Sequence, residues 1–141
     1  MSKGEKPIFD KILIGIDESE GSLKAAKRVI EIQKDYEGKI IAFHSILHRK
    51  SDSDAKDVEE HGKKVFTEIE KLFKEASLSI ETRLIVDVEP EDYIKNIVEK
   101  ENINLVVLGY SGKHGILKRR LIGSIPTQVM NNVLCDVLIV K

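Results

Sequence analysis

Two stretches carry residues whose types and spacing can do chemistry. The first is GYSGKHGILKRRLIGS, residues 109–124, which leaves an apolar run and ends in Gly-Ser. Gly109 and Gly112 remove side chains where a backbone must turn sharply and lie close to something. Gly123 lets another backbone segment approach. Ser124 stands where a helix begins, so its hydroxyl can cap free N–H groups or reach an anion. A helix N-terminus adds partial positive charge. Together these parts form a phosphate cradle. The second stretch is DESEGS, residues 17–22, which follows the first apolar run. Asp17 there either caps the following helix or touches a ligand, and the glycine loop favours the ligand. The pattern GxxxxGK[ST] does not occur, and no GxGxxG follows the first apolar run. The residues alone imply a phosphate-bearing ligand and leave its class open.

Other reactive side chains offer less. His48, His61 and His114 are scattered without metal-ligand spacing. His44 falls in a strand and reads as a satisfied core histidine. Cys135 has no histidine near it in sequence and reads as a small buried hydrophobe. Lys118, Arg119 and Arg120 read as a solvated helix face that can also steer a triphosphate inward.

The elements that position these groups alternate. ILIGI, residues 12–16, is short, aliphatic and continuous, as a strand buried on both faces should be. Leu23, Ala26, Val29, Ile30 and Gln33 follow at helical spacing, and Gly38 is expected to close that helix. KIIAFHSI is a second strand. Residues 47–57 are polar and unpatterned and are expected to form a flexible loop. A long helix over 58–76 carries the stripe Val58, Val65, Ile69, Leu72 and Ala76. SIETRLIV is a third strand, and Pro90 opens a helix with Tyr93, Ile94, Ile97 and Val98 inward. NINLVVLG, a helix over 124–132, and a last strand CDVLIVK complete the chain. This alternation predicts a single α/β domain over residues 1–141. It is a doubly wound, five-stranded parallel sheet with helices on both faces, a Rossmann-like arrangement. Ligands of such sheets sit beyond the carboxyl ends of the strands, where the strand order reverses. If strands 1 and 4 are neighbours there, DESEGS and the glycine loop share one crevice.

Composition narrows the partners. The chain has 141 residues, a formal net charge of −1, one cysteine and no tryptophan. A nucleic-acid binder is normally strongly basic, and single-strand binders carry stacking aromatics. Neither trait is present, so nucleic acid is not an expected partner. One cysteine excludes an internal disulfide framework. No apolar stretch approaches the length of a membrane span. Residues 1–8 read as a mobile lead-in without a signal peptide, and the expected location is the cytoplasm.

ILIGIDES, AFHSI and LVVLGYSG…GS…VLIVK resemble the universal stress protein family over nearly the whole chain. The most specific part is G-x-x-G, a spacer, then G-[ST]: Gly109, Gly112, Gly123 and Ser124. The spacer holds ten residues, one more than the commonest form. The resemblance is to the ATP-binding branch, whose fold is that of the adenine nucleotide alpha hydrolases. It implies that Asp17 contacts the ribose and helps organise Mg or Mn. It implies that backbone groups of Ile16 and Ser45 read the adenine. It also implies that Gly109, Gly112, Gly123, Ser124 and Ile125 hold the phosphates. Two departures stand out. Ser45 replaces a common aliphatic residue, and VEPED, residues 88–92, replaces a common Gly-x-Pro turn.

The expected function is a small ATP-binding stress-response regulator with slow or no hydrolysis. It is expected to form a homodimer through the edge strand VLIVK, with Val137 at its start and Lys141 at its end. An ATP hydrolase or phosphotransferase with Asp17 organising the metal is one alternative. A dimeric interaction module without nucleotide is another.

Overall fold

The computed structural model describes residues 8–34, 37–47, 55–110 and 124–141. The elements along them are β1 (Lys11–Gly15), α1 (Glu20–Gln33), β2 (Lys39–Ile46), α2 (Ala55–Glu75) and β3 (Glu81–Val86). They continue as α3 (Pro90–Glu101), β4 (Leu105–Gly109), α4 (Ser124–Asn132) and β5 (Asp136–Val140). The strands form one sheet in the order β3-β2-β1-β4-β5, and every pairing is parallel. β1 is central: Ile12 lies between Ile40 and Leu105, and Ile14 between Ala42 and Val107.

Ile12, Leu13 and Ile14 are each 0% exposed, which explains why β1 is aliphatic without alternation. Burying each side chain contributes about 1.5–3 kcal/mol. Ile12 and Ile14 face α1 and α2, packing with Ala26, Val29, Phe66, Ile69 and Phe73. Leu13 faces α3 and α4, packing with Phe43, Ile94, Val98 and Val129. The helices therefore cover both faces, as the alternation of elements predicts.

Local chemistry sets the ends of α3. Pro90 occupies its first turn after Glu89, where a missing N–H costs nothing. Asn102 ends it in the left-handed conformation (φ 56°), and its N–H and that of Ile103 both reach the Val98 carbonyl.

Several expectations are corrected. Gly38 does not close α1, which ends at Gln33 with Lys34 still right-handed. Gly38 instead leaves room for Gln33: a Cβ there would lie 2.5 Å from Gln33 Nε2 and 3.0 Å from the Phe9 carbonyl. α2 begins at Ala55, inside the stretch expected to be a loop. Its buried stripe is Val65, Phe66, Ile69 and Phe73, while Leu72 and Ala76 are half-buried. The helix is thus rotated towards its two phenylalanines, the largest apolar surfaces it has. β3 and β4 start two and three residues later than their apolar runs, because 79–80 and 102–104 serve as connections. The lead-in over 1–7 and the remainder of the expected loop, 48–54, lie outside the described residues. Among the described residues, no helix is long and apolar enough to cross a membrane.

Candidate functional site

β1 and β4 are neighbours, with β2 beyond one and β5 beyond the other. The strand order reverses between them, so the β1–α1 loop and the start of the β4–α4 connection meet at one end of the sheet. Asp17 follows β1 and Gly109 ends β4, so both lie at this end of the sheet.

The β1–α1 loop is built around Asp17. Its Oδ1 accepts from the Ser19 N–H at 2.7 Å and from the Ser19 hydroxyl. Its N–H lies 3.2 Å from Ser22 Oγ, and that hydroxyl donates to the Asp17 carbonyl at 2.8 Å. Ser19 is the N-cap of α1, accepting from the Ser22 N–H at 3.2 Å. Asp17 is therefore not the helix cap. It stands exposed ahead of the helix, with one oxygen fixed by Ser19 and Oδ2 without a protein partner among the described residues. Sequence reasoning missed the roles of Ser19 and Ser22. The signal was present, since Ser-x-x before a helical pattern is a capping signature.

Two histidines brace this loop from the α2 side. His44 Nδ1 is 2.7 Å from the Ile16 carbonyl, so that nitrogen carries the proton and donates. Burial holds the His44 ring below the usual histidine pKa, although the bond to Ile16 opposes that shift. His44 is thus a satisfied core histidine, as expected. His61 Nε2 lies 2.7 Å from Glu18 Oε1 and ties α2 to the loop. The Ile16 N–H donates to the Phe43 carbonyl at 2.8 Å. Ile16 is 4% exposed and both of its backbone groups have partners inside the protein.

Ser45, at the end of β2, donates from Oγ to the Val88 carbonyl at 2.5 Å. This bond ties β2 to the β3–α3 connection, so VEPED does border the end of β2.

Gly109 closes β4 with a backbone contact. A Cβ on it would lie 2.4 Å from the carbonyl carbon of Gly21 and 2.5 Å from its oxygen. The end of β4 therefore rests directly on the first turn of α1. Gly15 makes room for packing on the other side, where a Cβ would come within 2.8 Å of Leu108 Cδ2 and 3.6 Å of Phe43. α4 begins at Ser124, with Ile125 in its first turn. Gly112, Lys113, His114, Lys118, Arg119, Arg120 and Gly123 lie outside the described residues, as does His48.

A second polar cluster lies on β3 and α3. Arg83 makes a two-pronged pair with Glu101 at 2.6 and 2.8 Å and also bonds Glu81 at 2.5 Å. These bonds hold both carboxyls below the usual range and push the guanidinium further up. The cluster joins the last turn of α3 to β3 and is structural. Cys135 is half-buried, and burial raises its thiol, which makes it a poor nucleophile.

Comparison with known proteins agrees with this arrangement. The family model of the universal stress protein family matches residues 8–141. A universal stress protein of Methanocaldococcus jannaschii is 30% identical over 143 residues, covering 95% of this chain and 83% of that protein. A universal stress protein solved in complex with cAMP superposes with a TM-score of 0.71 at 27% identity, covering 94% and 97% of the two chains. The universal stress protein of Archaeoglobus fulgidus, solved in complex with dAMP, gives 0.72 at 18% identity, covering 95% and 99%, a likeness of fold. With its parallel sheet in the order β3-β2-β1-β4-β5 and a family match over residues 8–141, the chain belongs to the universal stress protein family.

Proposed function

We propose that this protein binds ATP in the β1/β4 crevice and acts as a stress-response regulator whose state depends on the bound nucleotide. The observation that carries this reading is the adjacency of the Asp17 loop and the Gly109 end of β4 at the point where the strand order reverses. Relatives solved with cAMP and dAMP support an adenine nucleotide. In this reading Gly109, Gly112, Gly123, Ser124 and Ile125 line the phosphate end. Asp17 serves the ribose, and Ile16 and Ser45 lie towards the base. The one remaining lone-pair direction of the Ile16 carbonyl is what it has left to offer, since His44 takes the other.

The donor set fits a magnesium or manganese ion shared with phosphates. Among the described residues, Asp17 keeps one oxygen without a protein partner, and no group of three ligating side chains is available to hold an ion alone. Mg²⁺ typically takes one or two carboxylates and completes its shell with phosphate and water. Such an ion would screen phosphate charge at Asp17. The reading is nucleotide retention with slow or no hydrolysis.

The same reading includes a homodimer through β5. That strand lies at the sheet edge, and its Val137, Leu138 and Ile139 are half-buried. An edge of this kind can pair with its own copy. Sedimentation of the full chain tests this part.

Calorimetry of Mg-ATP on nucleotide-stripped protein tests the binding claim, beside a Gly123→Val variant. Micromolar binding that the folded variant loses is expected. Folded wild type that binds no ATP refutes the reading.

A further inference from the structure

Asp17 sits between two residues that histidines hold. On one side, the Ile16 carbonyl accepts the Nδ1 proton of His44, on β2, at 2.7 Å. On the other, Glu18 Oε1 lies 2.7 Å from Nε2 of His61, on α2. The two rings also face each other, with centroids 5.8 Å apart and planes tilted by 46°. The loop, β2 and α2 therefore meet in one array.

The histidines differ in what a second proton would cost. His44 is 9% exposed, and its ring stands edge-on to Phe66 at 6.5 Å. Its Nδ1 proton is committed to Ile16, so a positive charge requires a second proton at Nε2 of a buried ring. Burial opposes that charge, and so does a charged His61 beside it. His61 is exposed and faces a carboxylate. Around the pair, Asp17 and Glu18 act from the loop, and Asp57 and Lys64 stand about one turn from His61 on α2. Phe43 and Ser45, beside His44 on β2, carry no charge. Three carboxylates against one ammonium favour a cation here. Two like charges this close oppose each other, so the rings titrate as a pair.

We propose that His44 and His61 form a one-proton clamp on the β1–α1 loop: His61 takes the proton and draws Glu18 onto α2, while His44 stays neutral and keeps the Ile16 carbonyl. Neutral His61 gives Glu18 a hydrogen bond only, and charged His61 adds an ion pair. The backbone on both sides of Asp17 tightens as pH falls from about 7 to about 5, the range in which histidine changes charge. Below about pH 4 the carboxylates are protonated and the clamp releases. The clamp does not depend on which ligand the loop serves.

The test is an NMR titration of the full chain from about pH 8 to about pH 4.5, a span that brackets histidine. It follows the rings of His44 and His61 and the amides of Asp17, Glu18 and Ser19 in wild type, His61→Gln and Glu18→Gln. Both substitutions fall on exposed side chains, and circular dichroism confirms the fold. His61 is expected to take up its proton at higher pH than His44, and the three amides follow the His61 midpoint. Glu18→Gln lowers that midpoint by about 0.2–0.7 pH unit, the size of an exposed ion pair. His61→Gln abolishes the amide titration in this range and moves the His44 midpoint up. Rings that titrate in the reverse order overturn the proposal, as do amides that titrate unchanged in His61→Gln. A His61 midpoint that Glu18→Gln fails to lower also overturns it.

Discussion

Gly109→Ala tests whether the two loops of the crevice are held together by backbone contact. The added Cβ would lie 2.4, 2.5 and 2.9 Å from the carbonyl carbon, oxygen and Cα of Gly21. All three atoms are backbone in the first turn of α1, so none can rotate away. Restoring ordinary contact requires β4 and α1 to separate by about 1 Å, a strain in the range of about 1–3 kcal/mol for overpacking. Gly109 is outside the left-handed region, so the cost is steric and not conformational. Gly15→Ala is the control. Its nearest contact, at 2.8 Å, is the end of the flexible Leu108 side chain, and the next are ordinary at 3.6 and 3.7 Å. Alanine also restricts the unfolded chain, which returns about 0.4–1 kcal/mol. Urea unfolding should therefore show Gly109→Ala destabilised by about 1–3 kcal/mol and Gly15→Ala close to wild type. Equal losses, or the reverse order, would refute the seam between Gly109 and Gly21.

Ser19→Ala removes the N-cap of α1 and should cost about 1 kcal/mol in urea unfolding. Arg83→Leu removes the partner of Glu81 and Glu101 and should cost about 1 kcal/mol near neutral pH. Because Arg83 lowers both carboxyls in the folded protein, its contribution is present above the unfolded carboxylate range and fades as pH falls through the folded values. The gap between wild type and variant should narrow at acid pH, and a constant gap counts against the pairing. His44 is held below its ordinary value of 6.5, so the unfolded chain takes up its proton first as pH falls. Stability should drop between pH 7 and pH 5 through this group, and His44→Asn should flatten that slope in paired urea titrations.

The layered architecture was legible because β1 and β4 are aliphatic on both faces and because Pro90 and Ser124 mark helix starts that the structure keeps. Contacts between distant residues were not legible. Nothing local announces that Arg83 meets Glu101, 18 residues away, or that His44 reaches the Ile16 carbonyl. The stripe of α2 was misjudged because Phe66 and Phe73 win the core by size against Leu72. Its start was missed because Ala55 to Asp57 carry no apolar pattern, and the helix forms through them regardless. Gly38 looked like a cap, but it serves packing around the Gln33 amide. In the candidate site, Asp17 and Gly109 were readable as types at meaningful spacing. The serines that hold Asp17, and the glycine-to-glycine contact that joins the two loops, needed the fold.

The most direct measurement is an amide NMR titration of the isotope-labelled full chain with Mg-ATP. The account predicts shifts at Asp17, Ser19, Ser22, Ser45, Gly109, Ser124 and Ile125. It predicts still amides at Lys11, Asn104 and Asp136, at the opposite end of the sheet. Shifts centred on that opposite end, or none in folded protein at millimolar nucleotide, would contradict it.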